Sequence, residues 1–242
     1  MAGMSDAARE NTLRQAPLFR ELDPKDLQQL SRNATPHRVA KGTPIIEEGD
    51  EETNFLIILM SGRANVIISG PRGREIIVAV IEEHGVVGEI GLLDGSPRSA
   101  TVRAEEATEY LKVGAKAFLD CLRTNVAFAE KVAKHVASSL RRTNEQLRVI
   151  STLPAKHRVA WCLRRLAHQR GESHNGALVI ERHPLHRDIG DMTGCSRETV
   201  TRKLRKLEQE GCVTHDGDRL LIHLNALNRY LRAWPWLAES PT

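Results

Sequence analysis

Apolar residues recur with a heptad spacing along one stretch of the chain, from Val126 to Ser151. The apolar and small residues alternate at intervals of four and three positions, which buries one narrow face of a helix. These seam positions are Ala129, Ala133, Val136, Leu140, Thr143, Leu147 and Ile150. The pattern predicts a long helix that forms a homodimer with its own copy. The alternative is an ordinary helix that packs on its own domain.

The segment before this helix contains short apolar runs that are separated by glycines. The runs lie at residues 45–46, 55–60, 64–68, 76–81 and 101–104. Many short strands with turn signals between them predict a β-sandwich or barrel, and residues 69–73 are the clearest hairpin turn. The cassette, which we define as residues 88–102, is read as a glycine-rich turn between strands.

Helices are predicted on both sides of the strands. Residues 13–33 form short helices, with Pro24 at the first position of the second one. Residues 115–122 form another short helix. Residues 1–12 mix acidic and basic side chains without an apolar run, so we expect a loose tail and no secretory signal.

Pro154 ends the long helix, and helices and short strands follow it. The predicted helices are 155–169, 185–192 and 196–208, the strand is 178–181, and residues 171–176 are a polar loop. Residues 211–215 and 219–223 pair around Asp216-Gly217-Asp218, a strong hairpin signal. This order of helix, turn, helix and hairpin predicts a winged helix-turn-helix.

Together these patterns predict an α+β fold in three parts. The parts are a jelly-roll-like N-terminal β-roll (residues 13–124), a dimerisation helix (125–152) and a C-terminal winged helix-turn-helix domain (153–233). The chain has 242 residues, of which 40% are hydrophobic and 27% charged, which is typical of a soluble globular protein. No apolar run approaches the roughly 18 residues that a membrane span needs.

Cysteine and charge positions add to this picture. The four cysteines are scattered and form no metal-ligand pattern, so we expect free thiols in a reducing, cytoplasmic compartment and no bound metal. From Ser151 onward there are 15 Lys and Arg against 10 Asp and Glu. A basic excess at this end is expected for a domain that binds nucleic acid phosphates.

The cassette combines residue types that suit a ribose joined to a phosphate. Gly88 and Gly91 let backbone N–H groups approach an anion, and Arg98 offers a planar fork that matches a phosphate. Ser99 adds a hydroxyl donor. The carboxylate of Glu89 suits a sugar hydroxyl. The alternative is a tight turn with a local Glu–Arg ion pair.

The second chemical signal lies at residues 188–204. Gly194 fits the turn between two crossing helices, and Ser196 is a good N-cap. Val200, Leu204 and Leu207 form an apolar face. The polar face would then enter the DNA major groove, where Arg suits guanine and Glu suits a cytosine amino group. The alternative is a solvated charged helix face.

Both motifs resemble those of one protein family. The string G-E-I-G-L followed by R-S-A looks like the phosphate-binding cassette of cyclic-nucleotide-binding domains. The string I-G-D-M-T-G-C-S-R-E-T-V-T-R is nearly identical to the recognition element of the catabolite activator branch. From Pro17 to about Leu224 the chain resembles the superfamily of cyclic AMP receptors and fumarate–nitrate regulators, which are bacterial transcription factors.

The resemblance implies roles for particular residues. Cyclic AMP would be the effector, bound by the cassette and the long helix through Gly88, Glu89, Ile90, Gly91, Arg98, Ser99, Thr143 and Asn144. Asn144 stands where that branch usually has Ser, and it would reach the ligand of the other subunit. Double-stranded DNA with a TGTGA-like palindrome would be read by Arg197, Glu198 and Arg202, with phosphate contacts from Ser196, Thr199 and Lys203.

The resemblance also implies one further DNA contact and a protein partner, and it leaves other functions open. His186 follows Leu185 where the family has Arg or Thr, and it is a further candidate DNA contact. RNA polymerase is the implied protein partner. A regulator that needs no nucleotide, or that responds to another ligand in the same pocket, is the alternative. A nucleotide-gated enzyme subunit is a third hypothesis, which the winged helix opposes.

Overall fold

The computed structural model describes residues 4–174, 176–181 and 183–237. Residue contacts divide the chain into two compact units, Met1–Thr143 and Asn144–Thr242. The division falls inside the long helix. The predicted limits of the three domains remain a prediction.

Groups of helices and groups of short strands follow one another along the chain. The helices are α1 (Asp6–Gln15), α2 (Pro24–Arg32), α3 (Glu89–Asp94), α4 (Ala115–Thr124), α5 (Val126–Thr152), α6 (Ala155–Arg170), α7 (His186–Thr193), α8 (Arg197–Gln209) and α9 (Leu224–Leu231). Single 3-10 turns lie at Pro71–Gly73 and Pro235–Leu237.

The strands are short and all their pairings are antiparallel among the described residues. They are β1 (Ala34–Val39), β2 (Pro44–Ile46), β3 (Phe55–Ser61), β4 (Ala64–Ser69), β5 (Glu75–Ile81), β6 (Val86–Val87), β7 (Thr101–Ala104), β8 (Thr108–Gly114), β9 (Glu172–His174), β10 (Ala177–Ile180), β11 (Val213–Asp216) and β12 (Arg219–Ile222).

Two four-stranded sheets form the body of the first unit, in the orders β1-β8-β3-β6 and β2-β7-β4-β5. One apolar cluster contains residues from both sheets, among them Ile57 and Leu59 of β3 and Val102 of β7. A second cluster joins the first sheet to α1, α2, α4 and the start of α5. The predicted β-roll is therefore confirmed.

The N-terminal helices partly contradict the sequence interpretation. Residues 1–12 were expected to be a loose tail, but α1 begins at Asp6 and its N-cap Ser5 accepts a hydrogen bond from the Ala8 amide. Leu13 is fully buried. Burial of the face that carries it therefore stabilises α1 although most of its residues are polar. Asp23 caps α2 and Pro24 occupies its first position, as predicted.

Helix α5 presents two different faces. Phe128 and Val132 are buried in the first unit's core. The seam residues Leu140 and Leu147 are 59% and 63% exposed in the single chain. The long helix is confirmed, and its heptad seam is the face left accessible.

The second unit is a winged helix-turn-helix. Its four-stranded sheet has the order β11-β12-β10-β9, and β11 and β12 are joined by the predicted hairpin with Gly217 at φ +59°. Strand β9 lies where a polar loop was predicted for residues 171–176. It forms because its backbone pairs with β10, a contact that side-chain polarity does not reveal. Residue 175 of that loop lies outside the described residues.

The cysteines fit the expected free thiols. Cys121, Cys162 and Cys212 are buried, and Cys195 is half-buried. Burial raises the pKa of Cys121 to about 11 and that of Cys162 to about 12. Within the described part of the chain, no helix is long and apolar enough to cross a membrane.

The turn between α7 and α8 depends on a close backbone approach at Gly190. A Cβ atom added there would lie 2.7 Å from the Cys195 carbonyl oxygen, and the Cys195 amide already donates to the Gly190 carbonyl at 3.0 Å. Gly190→Ala should therefore destabilise the protein by about 1–3 kcal/mol, although Gly→Ala in an open helix stabilises by about 1 kcal/mol.

Urea unfolding followed by circular dichroism measures this change. Gln209→Ala, at an exposed position of α8, is the control and should change stability by less than about 0.5 kcal/mol. A Gly190→Ala protein as stable as the unchanged chain would contradict the close approach.

Candidate functional site

The cassette contains a helix where a turn was predicted. Helix α3 begins after Gly88 and ends before Gly95, and these glycines have φ values of +93° and +70°. Left-handed glycines thus start and stop a short helix inside the glycine-rich segment. Ile90 is exposed, whereas Gly91 is buried. A Cβ atom added at Gly91 would lie 3.0 Å from Thr53 Cγ2, so that methyl group would have to shift slightly to accommodate it.

Glu89 is a buried carboxylate at the start of α3. Its side chain is only 6% exposed, and its Oε1 lies 3.3 Å from Nε2 of His135 on α5. A buried carboxylate without a hydrogen-bond donor is costly. The imidazole is the polar side chain that lies beside this buried carboxylate.

Arg98 is also buried. Its Nη1 donates to the Gly88 carbonyl at 2.9 Å and its Nη2 to the Phe55 carbonyl at 2.8 Å. The guanidinium carbon lies 4.5 Å from the centroid of the Phe55 ring. Nε is buried without a hydrogen-bond partner in the described residues. This N–H group is a donor that a ligand acceptor could use.

The backbone and the surrounding charges also fix Arg98. Its amide donates to the Asp50 carbonyl at 2.9 Å, and its carbonyl accepts from the Gly49 amide at 2.8 Å. Burial lowers the pKa of the Arg98 guanidinium, and Asp50 and Glu52 oppose that shift. An arginine remains charged in this range. Ser99, the next residue, is exposed.

The two buried charges of the cassette are not paired with each other. Glu89 pairs with His135, and Arg98 bonds to backbone carbonyls. Among the described residues no ion pair joins Glu89 to Arg98, so the alternative of a local Glu–Arg pair is wrong. An acceptor-rich carboxylate and an unsatisfied guanidinium N–H fit a ligand that carries both hydroxyl and anionic groups.

The two predicted ligand contacts outside the cassette, Thr143 and Asn144, lie on α5. The Thr143 hydroxyl donates to the Ser139 carbonyl at 3.1 Å, one turn earlier in the helix. Thr143 and Asn144 are both exposed. They fall in different units, and each remains a prediction.

In the second unit, α8 has one buried and one exposed face. Val200, Leu204 and Leu207 are at most 2% exposed. The opposite face is lined by Arg197, Glu198, Thr201, Arg202, Lys203, Arg205, Lys206 and Gln209. Four of the predicted DNA contacts, Arg197, Glu198, Arg202 and Lys203, lie on this surface. Its excess of Arg and Lys gives it the positive charge that phosphates attract.

The start of α8 is capped as predicted. The Ser196 hydroxyl accepts from the Thr199 amide at 3.3 Å. The pKa of the Glu198 carboxyl is lowered by its own backbone amide, then by the Ser196 hydroxyl, and also by Arg197. Glu198 is therefore ionised at neutral pH and is an acceptor that suits a base amino group.

His186 joins the start of α7 to α8. Its Nδ1 lies 2.7 Å from the Thr201 hydroxyl, which itself donates to the Arg197 carbonyl at 3.0 Å. Because that hydroxyl has one hydrogen, His186 Nδ1 must be the donor to Thr201. The imidazole thus braces the first turn of α8, and its predicted DNA contact remains a prediction.

Two further histidines adjoin His186. The His183 ring centroid lies 5.5 Å from that of His186 and 5.0 Å from that of His215, with which it is stacked. His183 Nδ1 lies 2.6 Å from the Pro184 carbonyl and must donate to it. In the part of the chain that the structure describes, no group of three His, Cys, Asp or Glu side chains is placed to hold a metal ion.

Sequence reasoning missed His135, Phe55 and His183. Phe128, Val132 and His135 follow the four-and-three spacing of one helix face, which was the available signal for His135. Phe55 contacts Arg98 in two ways: its carbonyl accepts a hydrogen bond from Nη2, and its ring packs against the guanidinium group. Nothing in the local sequence around Phe55 marks either contact.

Comparisons with known protein families identify both units. The cyclic nucleotide-binding domain family matches residues 36–125, and the Crp-like helix-turn-helix domain family matches residues 157–230. The cAMP-activated global transcriptional regulator CRP of Salmonella typhimurium is 29% identical over 189 residues, which are 77% of this chain and 89% of that protein.

A more distant relative covers more of the chain. The CRP-like cAMP-activated global transcriptional regulator of Mycobacterium tuberculosis is 25% identical over 213 residues, 88% of this chain and 95% of that protein. Among solved structures, FixK2 from Bradyrhizobium japonicum has a TM-score of 0.71 at 23% identity and covers 81% of this chain and 96% of its own. That likeness supports the fold.

Burial makes the histidine cluster a source of pH-dependent stability. Burial is the main cause that lowers the pKa of His183; the Pro184 carbonyl opposes it, His215 adds to it and Asp218 opposes it. Burial, followed by His183, Arg197 and His215, lowers the pKa of His186. The folded protein therefore prefers neutral imidazoles. This stability is complete above the unfolded-state pKa of about 6.5 and is lost as the pH falls below it.

We expect His183→Asn to reduce the loss of stability on acidification. The measurement is thermal unfolding at about pH 7.5 and about pH 5.5, and the fall in Tm between them should be smaller in the variant. His168→Asn, at an exposed position near the end of α6, is the control and should show the same fall as the unchanged chain. Equal falls in all three proteins would exclude His183 as a contributor.

Proposed function

Because the chain belongs to the CRP/FNR superfamily of DNA-binding transcription regulators, we propose that it is a homodimer that reads palindromic DNA under control of cyclic AMP. It has a cyclic nucleotide-binding domain and a Crp-like helix-turn-helix. The family consists of transcription regulators and not enzymes. Control by cyclic AMP, the homodimer and the palindromic DNA site go beyond family membership and are what we propose.

The single observation that carries the proposal is the exposed basic face of α8 above a buried apolar face. Arg197, Glu198 and Arg202 are exposed along it, and Arg and Glu match guanine and cytosine edges in the major groove. Ser196, Thr199 and Lys203 are the proposed phosphate contacts at the same helix. Phosphate contacts would fix the helix in register, and the base contacts would supply specificity.

The proposed cyclic AMP site uses the buried charges of the cassette. Glu89 would accept a hydrogen bond from a ribose hydroxyl, and Arg98 and Ser99 would donate to the cyclic phosphate. The buried, unpartnered Nε of Arg98 supports this assignment. Gly88, Ile90 and Gly91 would shape the backbone around the phosphate. The relatives' cAMP-activated function favours adenine as the base, with Thr143 and Asn144 as its proposed contacts.

The proposed dimer uses the heptad seam of α5. Leu140 and Leu147 expose more than half of their surface in the single chain, and such apolar stripes usually mark an interface. A twofold axis along α5 would present two recognition helices to half-sites roughly 34 Å apart. A ligand that prefers this arrangement would raise DNA affinity by population shift. RNA polymerase is the proposed protein partner, in the cytoplasm.

The second candidate function is a DNA-binding regulator that needs no nucleotide or binds another ligand in the β-domain. The observation that favours it is that both Arg98 Nη atoms already bond to protein carbonyls. In that case the guanidinium would be structural.

A DNA titration separates the two candidates. We expect cyclic AMP to tighten binding to a labelled TGTGA palindrome by about 10-fold or more, and cyclic GMP to have a smaller effect. Fluorescence anisotropy at fixed salt measures this, because phosphate contacts make the affinity strongly salt-dependent. Equally tight binding with cyclic AMP, with cyclic GMP and with neither would favour the second candidate.

A substitution on α8 tests the DNA-reading face. Arg197→Ala should weaken binding to the palindrome by about 10- to 100-fold and relax specificity at one base pair. Arg232→Ala is the matched control, since Arg232 is an exposed arginine outside α8 and the charge change is the same. Equal effects of the two substitutions would mean that Arg197 contributes only general charge.

A further inference from the structure

His135 occupies a position on α5 that no motif marks. Its Nε2 lies 3.3 Å from Oε1 of Glu89, and the two side chains are 27% and 6% exposed. His135 thus lies beside the carboxylate that we propose as the ribose-binding group. The contact joins the cassette to the long helix within the first unit.

Packing, and not only the contact itself, fixes where the imidazole lies. Phe128 and Val132 precede His135 on the same face of α5 and are each 2% exposed. The Phe128 ring lies 5.6 Å from that of Phe19 and 5.7 Å from that of Phe118. An aromatic cluster two turns before His135 therefore holds this helix face against the β-domain.

A carboxylate with one anchored oxygen is an oriented acceptor. An ionised carboxylate can accept hydrogen bonds at both oxygens, and with the imidazole beside Oε1 the Oε2 atom is left for a hydroxyl donor. Without the anchor, the end of a glutamate side chain rotates through several orientations, and binding a hydroxyl would have to restrict them. The partner on α5 thus decides how well Glu89 can discriminate a ligand hydroxyl.

We propose that His135 is a positioning residue of the effector site: it orients Glu89 toward the 2′-hydroxyl of the ribose and so sets the preference for ribonucleotides over deoxyribonucleotides. This inference rests on the proposed cyclic nucleotide site. It adds a residue of α5 to that site and connects recognition of the sugar to the helix that continues into the second unit.

The test compares two ligands that differ by one hydroxyl group. Isothermal titration of the full chain with cyclic AMP and with 2′-deoxy cyclic AMP measures the preference. We expect His135→Ala to weaken cyclic AMP binding by about 10-fold and to change 2′-deoxy cyclic AMP binding by less than about twofold. His135→Gln, which keeps an N–H donor, should retain most of the preference.

Two controls test whether His135 acts through Glu89. Lys134→Ala removes the neighbouring exposed side chain, which forms an ion pair with Glu130, and should leave both affinities unchanged. Glu89→Gln should reduce the ribose preference, and His135→Ala added to it should cause little further loss. Such non-additivity is expected when one residue acts through another.

The outcomes separate failure of this inference from failure of the proposed function. If the unchanged chain binds neither nucleotide, the proposed cyclic nucleotide control is wrong, and this role of His135 with it. If the chain prefers cyclic AMP but His135→Ala keeps that preference, the positioning role alone is overturned. Equal loss of both ligands, with an unchanged Tm, would also overturn it, because a general packing defect does not distinguish a 2′-hydroxyl.

Discussion

The packing of Phe128 against Phe19 and Phe118 is the contact on which the first unit's functional geometry depends. It fixes the rotation of α5 about its own axis. One face of the helix then lies in the β-domain core and brings His135 to Glu89. The heptad seam, offset on the same helix, is left at the surface. A single aromatic cluster therefore decides both which side chain reaches the cassette and which apolar stripe of α5 stays exposed in the single chain.

The cost of burying charge explains the internal arrangement of the cassette. Glu89 and Arg98 are both at most 4% exposed, and either would be strongly unfavourable without partners. Mutual pairing would satisfy both, but it would also consume the groups that a ligand needs. The fold instead gives the carboxylate an imidazole and the guanidinium two carbonyls. One carboxylate oxygen of Glu89 and one N–H of Arg98 remain for the proposed ligand, and this follows from the arrangement and not from either residue alone.

In the second unit, close backbone packing fixes the position of α8. Gly190 lets the turn approach α7, and Ser196 caps α8. The buried apolar face of α8 then leaves its basic face outward. His186 and Thr201 brace the first turn of this helix. Rigid support below the reading face reduces the entropy that specific binding must overcome. The same burial lowers the pKa of His186 and so makes this support sensitive to acid.

The sequence by itself determined the order of elements, the long helix, and the cap and turn of the helix-turn-helix. These features depend on local periodicity and on short-range hydrogen bonds, which neighbouring residues specify. Tertiary structure decided the start of α1, strand β9, and the partners of Glu89 and Arg98. Each of these depends on groups far apart in the chain: Arg98 donates a hydrogen bond to the carbonyl of Phe55, and Glu89 lies 3.3 Å from the imidazole of His135. No local pattern encodes such contacts, because only packing of the whole domain brings them within reach.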